Sequence, residues 1–188
     1  SRLLLTNPAG EVSCWKWDSR GFSREETDVS FVVFGDNLIH EPIYRYGLRE
    51  DRGFDFLYQN IRKTIEKSNV AVINQETPLT DNPARYSDYP RFGTPAQVGQ
   101  AIVDAGFDVV TCATNHALDK GAEGVDFTKE FFVSRGVRCL GIQSAEEEEY
   151  RPYEMITRNN IRFALLNYTY GTNGIPVLGE HPYMVHLL

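Results

Sequence analysis

Val70-Ala71-Val72-Ile73-Asn74-Gln75-Glu76-Thr77 joins four apolar residues, three of them β-branched, directly to four polar ones. An apolar run without alternation is the mark of a strand buried on both faces, as in a parallel sheet covered by other layers. The polar residues then fall at its carboxyl end, where open parallel sheets gather their ligands. The same order recurs on either side. Upstream, Val29-Ser30-Phe31-Val32-Val33-Phe34 closes on Gly35 and runs into Asp36-Asn37-Leu38-Ile39-His40. Downstream, Phe107 to Ala113 leads into Thr114-Asn115-His116-Ala117-Leu118-Asp119, and Val137 to Ile142 makes a fourth strand.

Helical patterns separate these strands. Asp55 to Lys67 carries Phe56, Leu57, Ile61 and Ile65 at helical spacing. Thr94-Pro95 supplies cap and first-turn chemistry for a helix that ends at Gly106, and Ala122 to Ser134 is a further helix closed by Gly136. Glu146 to Glu149 reads as a solvated helix face. Tyr153 to Thr157, a turn at Asn159-Asn160 and Ile161 to Tyr168 then form an antiparallel hairpin. The sequence therefore predicts an α/β fold: a parallel sheet with helical crossovers, extended by a hairpin. Residues 1–27, broken by Pro8, Gly10 and Gly21, read as an appendage or linker, with Trp15 and Trp17 packed on the domain that occupies 28–188. A strand starting near Tyr183 and cut at Leu188 points to a C-terminally incomplete domain.

Composition narrows the function. With 188 residues, 41% hydrophobic and 24% charged, the chain is a globular domain and not a disordered segment. Its formal net charge of −7 opposes non-specific nucleic-acid binding, which depends on neutralising phosphates. Cys14, Cys112 and Cys139 are too few for a disulfide framework, although one bridge is possible. No apolar run approaches the ~18–20 residues of a membrane helix. A chain beginning at Ser1 is compatible with a removed signal peptide or anchor. Neither a phosphate-binding P-loop nor a glycine-rich dinucleotide turn follows the first strand.

Three successive strand ends thus deliver Asp36 and His40, then Asn74 and Glu76, then Asn115 and His116 to one edge of the sheet. Carboxylate, amide and imidazole donors in one place suit one or two divalent cations. Each residue alone has a plainer explanation as a turn cap or a loop histidine; their coincidence is what favours the metal. The long proline-punctuated loop from Thr77 to Gly93 brings Arg85, Tyr86, Tyr89, Arg91 and Phe92 over the same edge. Arg85 and Arg91 are natural partners for carboxylate or phosphate, with Asn74 as a further substrate contact.

The strings Phe34-Gly35-Asp36-Asn37-Leu38-Ile39-His40, Asn74-Gln75-Glu76-Thr77-Pro78-Leu79 and Ala113-Thr114-Asn115-His116-Ala117-Leu118-Asp119-Lys120-Gly121 resemble the capsule-synthesis CapA/PgsA family. That family is named for bacterial poly-γ-glutamate biosynthesis and is related to the calcineurin-like metallophosphoesterases. Gly106-Phe107-Asp108-Val109-Val110 and Asn167-Tyr168-Thr169-Tyr170-Gly171 add to the likeness, which covers roughly 29–175. The resemblance implies the N-terminal half of a metallophosphoesterase-like αββα sandwich. It makes Asp36, Glu76 and Asn115 metal ligands, His116 the group at the reaction centre and Asp119 the residue that orients its ring.

The sequence departs from the pattern at Leu38, where phosphoesterases carry a histidine; His40 is the candidate substitute. His181 and His186 do not sit in the family's later histidine motifs. The expected activity is metal-dependent hydrolysis of a phosphoester or amide bond, with Mn, Zn or Fe as candidate ions. The alternative is a non-catalytic surface component that binds or exports the anionic polymer. Either implies the outer face of the cell envelope, membrane anchoring in the full-length protein and capsule-synthesis membrane components as partners.

Overall fold

The computed structural model describes residues 2–10, 12–25, 28–49 and 52–188. Four parallel strands form the central sheet: β4 (Phe31–Asn37), β5 (Val70–Gln75), β8 (Val109–Thr111) and β9 (Arg138–Leu140), in that spatial order. Helices α2 (Arg62–Lys67), α3 (Ala96–Ala105) and α4 (Gly121–Val133) lie on the connections between them. A sheet whose strands follow chain order places every right-handed crossover on one face. Ile65, Val98, Ile102, Phe131 and Phe132 accordingly join Ala71, Ile73 and Val110 in one core.

The opposite face then needs a cover of its own, and the hairpin provides it. Strands β10 (Glu154–Arg158) and β11 (Ile161–Leu165) turn through Asn159 and Asn160, whose φ values of 47° and 64° are the left-handed pair a two-residue hairpin turn requires. Ile156, Phe163 and Leu165 pack on Val70, Val72, Val109 and Leu140. Apolar residues on both faces of β5 are thus buried, as its uninterrupted apolar run requires.

Several local expectations are corrected. The pattern from Asp55 to Lys67 is not one helix but a 3₁₀ turn at Asp55–Leu57 followed by α2. Thr94 does not cap α3: Thr94–Pro95 is a short strand, β7, paired with β6 (Leu79–Thr80), and the Thr94 hydroxyl lies 2.5 Å from that of Thr77. The helix begins at Ala96 with Pro95 as the residue before it, so Thr94 stands one position too early to cap it. Glu146 to Glu149 is turn and bend rather than helix, because Glu147 turns inward to pair with Lys129 and to accept the Ser144 amide at 2.8 Å. Near the N-terminus β1 (Arg2–Thr6), β2 (Val12–Asp18) and β3 (Gly21–Glu25) form an antiparallel meander. Trp17 packs there against Phe22 at 4.7 Å and stays 54% exposed. The tail segment bridges Ile142 to Val185 and Thr169 to Leu187, so Met184–His186 are buried although no regular strand forms. Cys112 and Cys139 are buried free thiols with sulfurs 3.5 Å apart.

One clamp sets the end of β8. Asn167 Oδ1 accepts from the amides of Cys112 at 3.0 Å and Ala113 at 2.6 Å, fixing where the strand stops and the Thr114–Asp119 turn begins. Gly141, at φ 84°, packs against this clamp; a Cβ there would stand 2.1 Å from Asn167 Oδ1 and 2.5 Å from the Ala113 Cβ. Gly141→Ala is expected to cost about 2–4 kcal/mol in urea unfolding, through left-handed strain and displacement of the clamp. Gly35→Ala, with open space around the new methyl, is expected to change stability by no more than about 0.5 kcal/mol. Equal effects at the two sites would refute the clamp.

Candidate metal centre

A β-bulge decides which way the first acid points. Phe34 pairs with Ile73 but Asp36 pairs with Asn74, so Gly35 is the extra residue on β4. Side chains alternate across a strand. Without the bulge Asp36 would share the core face with Val32 and Phe34. With it, Asn37 turns inward and Asp36 turns out.

The inward residues form a buried relay. The Tyr58 hydroxyl donates to Asn37 Oδ1 at 2.8 Å, Asn37 Nδ2 donates to Gln75 Oε1 at 2.7 Å, and Gln75 Nε2 donates to the Thr77 carbonyl at 2.6 Å. Every amide in it is satisfied across neighbouring strands, which locks the strand ends in register. The outward residues form a second relay. Thr111 Oγ1 donates to Asn74 Oδ1 and Asn74 Nδ2 donates to Asp36 Oδ1, each at 2.7 Å. Asn74 is therefore engaged in holding Asp36, with its amide oxygen and nitrogen both committed.

Glu76 stands beside Asp36. Burial pushes its carboxyl up, and the Asp36 charge pushes it further, while His116 and His40 pull the other way. Its Oε2 is buried without a hydrogen-bond partner. Thr114 holds the backbone at this point, donating to the Glu76 carbonyl at 2.6 Å.

His116 is buried, and its Nδ1 lies 2.7 Å from Asp119 Oδ2. Asp119 Oδ2 also accepts the Phe92 amide at 2.8 Å, and its Oδ1 is buried and unpartnered. A carboxylate at Nδ1 fixes ring orientation and leaves Nε2 on the opposite side. Asn115 is exposed, and its Nδ2 donates to Asn173 Oδ1 at 3.2 Å.

His40 lies at the start of α1 (Glu41–Gly47), with Nδ1 2.6 Å from Asp88 Oδ1. The two imidazoles flank one ring: Phe92 meets His40 edge-on at 5.2 Å and His116 at 4.8 Å. Arg85 pairs with Glu123 and donates to the Lys120 carbonyl at 2.8 Å. Arg91 is exposed.

Two residues at the site escaped the sequence analysis. Asp88 sits in a loop without periodicity, and Asn173 begins an Asn-Gly turn at φ 52° that carries its side chain onto Asn115 and His116. The Asn-Gly dipeptide was the one available signal.

The donor set fits a divalent cation in kind: two adjoining carboxylates, one with an unpartnered buried oxygen, beside two imidazoles and an amide. Among the described residues no three His, Cys, Asp or Glu side chains close into a ligand shell. A carboxyl raised in the folded state favours folding most when protonated, below its unfolded value, and that contribution is lost as pH rises through the folded value. Glu76→Gln is therefore expected to raise the melting temperature of the metal-free protein at pH 7, with the gain vanishing towards pH 4. A gain that persists unchanged at pH 4 would refute the charge conflict.

A family model described as bacterial capsule synthesis protein PGA_cap matches residues 30–183. The chain is 23% identical over 150 residues to the PGA biosynthesis protein CapA of Bacillus subtilis (strain 168), covering 79% of this chain and 38% of that protein. It is 23% identical over 155 residues to the capsule biosynthesis protein CapA of Bacillus anthracis, covering 78% and 36%. The chain thus spans well under half the length of these curated relatives. With strand-end motifs, fold and family model in agreement over most of its length, the chain belongs to the bacterial capsule synthesis PGA_cap family.

Proposed function

We propose that the strand-end cluster is the metal-holding part of a hydrolase site, and that the protein acts on a phosphoester or amide bond in the synthesis of a poly-γ-glutamate capsule. The observation that carries this reading is the Asp36–Glu76 pair facing two carboxylate-oriented imidazoles. Two acids held together repel unless a proton or a cation lies between them. Asp36, Glu76 and Asn115 would hold the ion, with His40 as a nitrogen donor, and Mn, Zn and Fe match that mixture. A divalent cation, when bound, lowers the pKa of water and neutralises charge developing on the substrate.

The chain's own residues supply the rest. Asp119, itself held by the Phe92 amide, holds His116 at Nδ1, so that a proton on Nε2, at the other side of the ring, can pass to the leaving oxygen or nitrogen. Asn74 keeps Asp36 turned outward. Arg91, exposed on the loop, is the remaining cation for a substrate anion once Arg85 is committed to Glu123. That commitment, with a net charge of −7, weighs against a purely polymer-binding role, which needs a broad basic groove. The printed names of the relatives supply the capsule context. An outer-envelope location, membrane anchoring and capsule-synthesis partners belong to the same proposal.

The deciding experiment is metal content per chain by mass spectrometry, paired with turnover of an aryl phosphodiester and of γ-glutamyl oligomers. Wild type is expected to hold one or two ions, and Asp36→Ala to lose them. His116→Ala is expected to keep the metal while turnover falls about 10²–10⁴-fold. Asp119→Asn should lower turnover about 10–100-fold. A well-folded wild type that stays metal-free in excess Mn²⁺ and Zn²⁺ would refute the hydrolase reading and favour polymer binding.

A further inference from the structure

We propose that Asp88 is a positioning residue that holds His40 as its Nδ1–H tautomer, leaving the Nε2 lone pair free for a cation and making His40 the nitrogen donor that Leu38 cannot be. This rests on the cation reading above for its purpose, though not for its geometry.

Asp88 is built to do one thing. Its Oδ2 accepts the Glu41 amide at 3.0 Å, and its Oδ1 accepts the Tyr89 amide at 2.7 Å as well as facing His40 Nδ1 at 2.6 Å. With both of its oxygens accepting backbone amides, the carboxylate is the acceptor, and the imidazole nitrogen facing it carries the proton. Two backbone amides fix the acceptor in place, so it fixes the ring in turn.

The loop carrying Asp88 is itself fastened. Ser87 and Gly93 pair in a backbone bridge, and Lys120 Nζ donates to Ser87 Oγ at 2.7 Å. A Cβ on Gly93 would stand 2.2 Å from the Arg85 carbonyl, so the strands of the loop can close this tightly only at glycine. Phe92 packs His40 from the side at 5.2 Å.

The arrangement repeats the one on the other side of Phe92. There Asp119 faces His116 Nδ1 at 2.7 Å. One aromatic ring therefore separates two imidazoles, each with a carboxylate on Nδ1. His116 and His40 both stand near enough to Glu76 to pull its carboxyl down. His40 side-chain exposure is 47%, enough for Nε2 to reach an incoming ion.

The test is ¹⁵N NMR of the histidine rings at pH 8.5, where the chain's four histidines can be assigned by single substitution. Wild-type His40 is expected in the Nδ1–H form. In Asp88→Ala it should revert to the Nε2–H form that free imidazole prefers, with the His116 signals unmoved. Asp88→Asn, which keeps an acceptor oxygen for the ring, should retain the tautomer and guards against a folding defect in the alanine variant. Titration with Zn²⁺ alone is then expected to move His40 Nε2 directly, and the zinc Kd should rise about 10–100-fold in Asp88→Ala. An Nε2–H ring in wild type, or a tautomer indifferent to Asp88→Ala, overturns the proposal. So does zinc binding that leaves His40 Nε2 unmoved. If wild type binds no zinc, the cation reading falls and with it the purpose given to the ring, while a tautomer lost in Asp88→Ala still upholds Asp88 as what positions it.

Discussion

The buried amide pair of Asn37 and Gln75 is what the site hangs on. Each is at a strand end, on the core side, where an unsatisfied amide would cost about 1–3 kcal/mol. They satisfy one another at 2.7 Å, with Tyr58 and the Thr77 carbonyl taking the remaining bonds. That pairing can form only if Asn37 points inward, and the Gly35 bulge is what turns it there. Asp36 is then turned out by the pleat alone, opposite Asn74, and Glu76 follows one residue beyond Gln75 on the same side as Asn74. The chemistry-bearing face is in this sense the consequence of a packing decision on the other face.

The layer order follows from an equally simple constraint. Strands added in chain order send every right-handed crossover to one face of the sheet, so helices alone cannot bury both. The Asn159-Asn160 hairpin covers the other face, and its return segment carries Asn167 to the end of β8. The Asn167-Tyr168-Thr169 string is therefore structural in its first residue: the amide oxygen ends one strand and starts the turn on which Asn115, His116 and Asp119 sit. Gly141 is the glycine that this close approach demands.

The strand ends were legible because three independent signals coincide there: an apolar run, an abrupt polar stop, and metal-type donors at each stop. The resemblance put Asp119 with His116, three residues apart in one turn, and the two side chains lie 2.7 Å apart. Asp88 could not be found in this way, since it reaches His40 across 48 residues of chain through a loop whose path depends on Ser87, Lys120 and Gly93. The contacts of Arg85 with Glu123 and the Lys120 carbonyl were illegible for the related reason that loop residues carry no periodicity to say which way they point. The cap at Thr94 failed by one position: the helix begins at Ala96 behind Pro95, and the Thr94 hydroxyl meets Thr77 in the core. Local chemistry was legible wherever one element contained it, and illegible where two elements had to meet.

A fold does not gather acids without consequence. Glu76 is raised by burial and by Asp36, with one oxygen left unpartnered, and Asp119 likewise keeps a buried oxygen with no donor. Nothing in the packing of the domain needs either feature; an apolar or amide residue at position 76 would satisfy the sheet at lower cost. Of the buried side-chain atoms without a partner among the described residues, Glu76 Oε2 and Asp119 Oδ1 fall at this edge and His186 Nδ1 in the tail segment, and broken local rules that cluster in this way are what a binding site produces. The direction of the violation is also specific. Excess negative charge at Asp36 and Glu76, with imidazoles held in one orientation beside it, is relieved by a positive ligand and worsened by a polyanion. If an anionic polymer is the substrate, it must therefore arrive at this edge after a cation, and the order of binding becomes part of the chemistry.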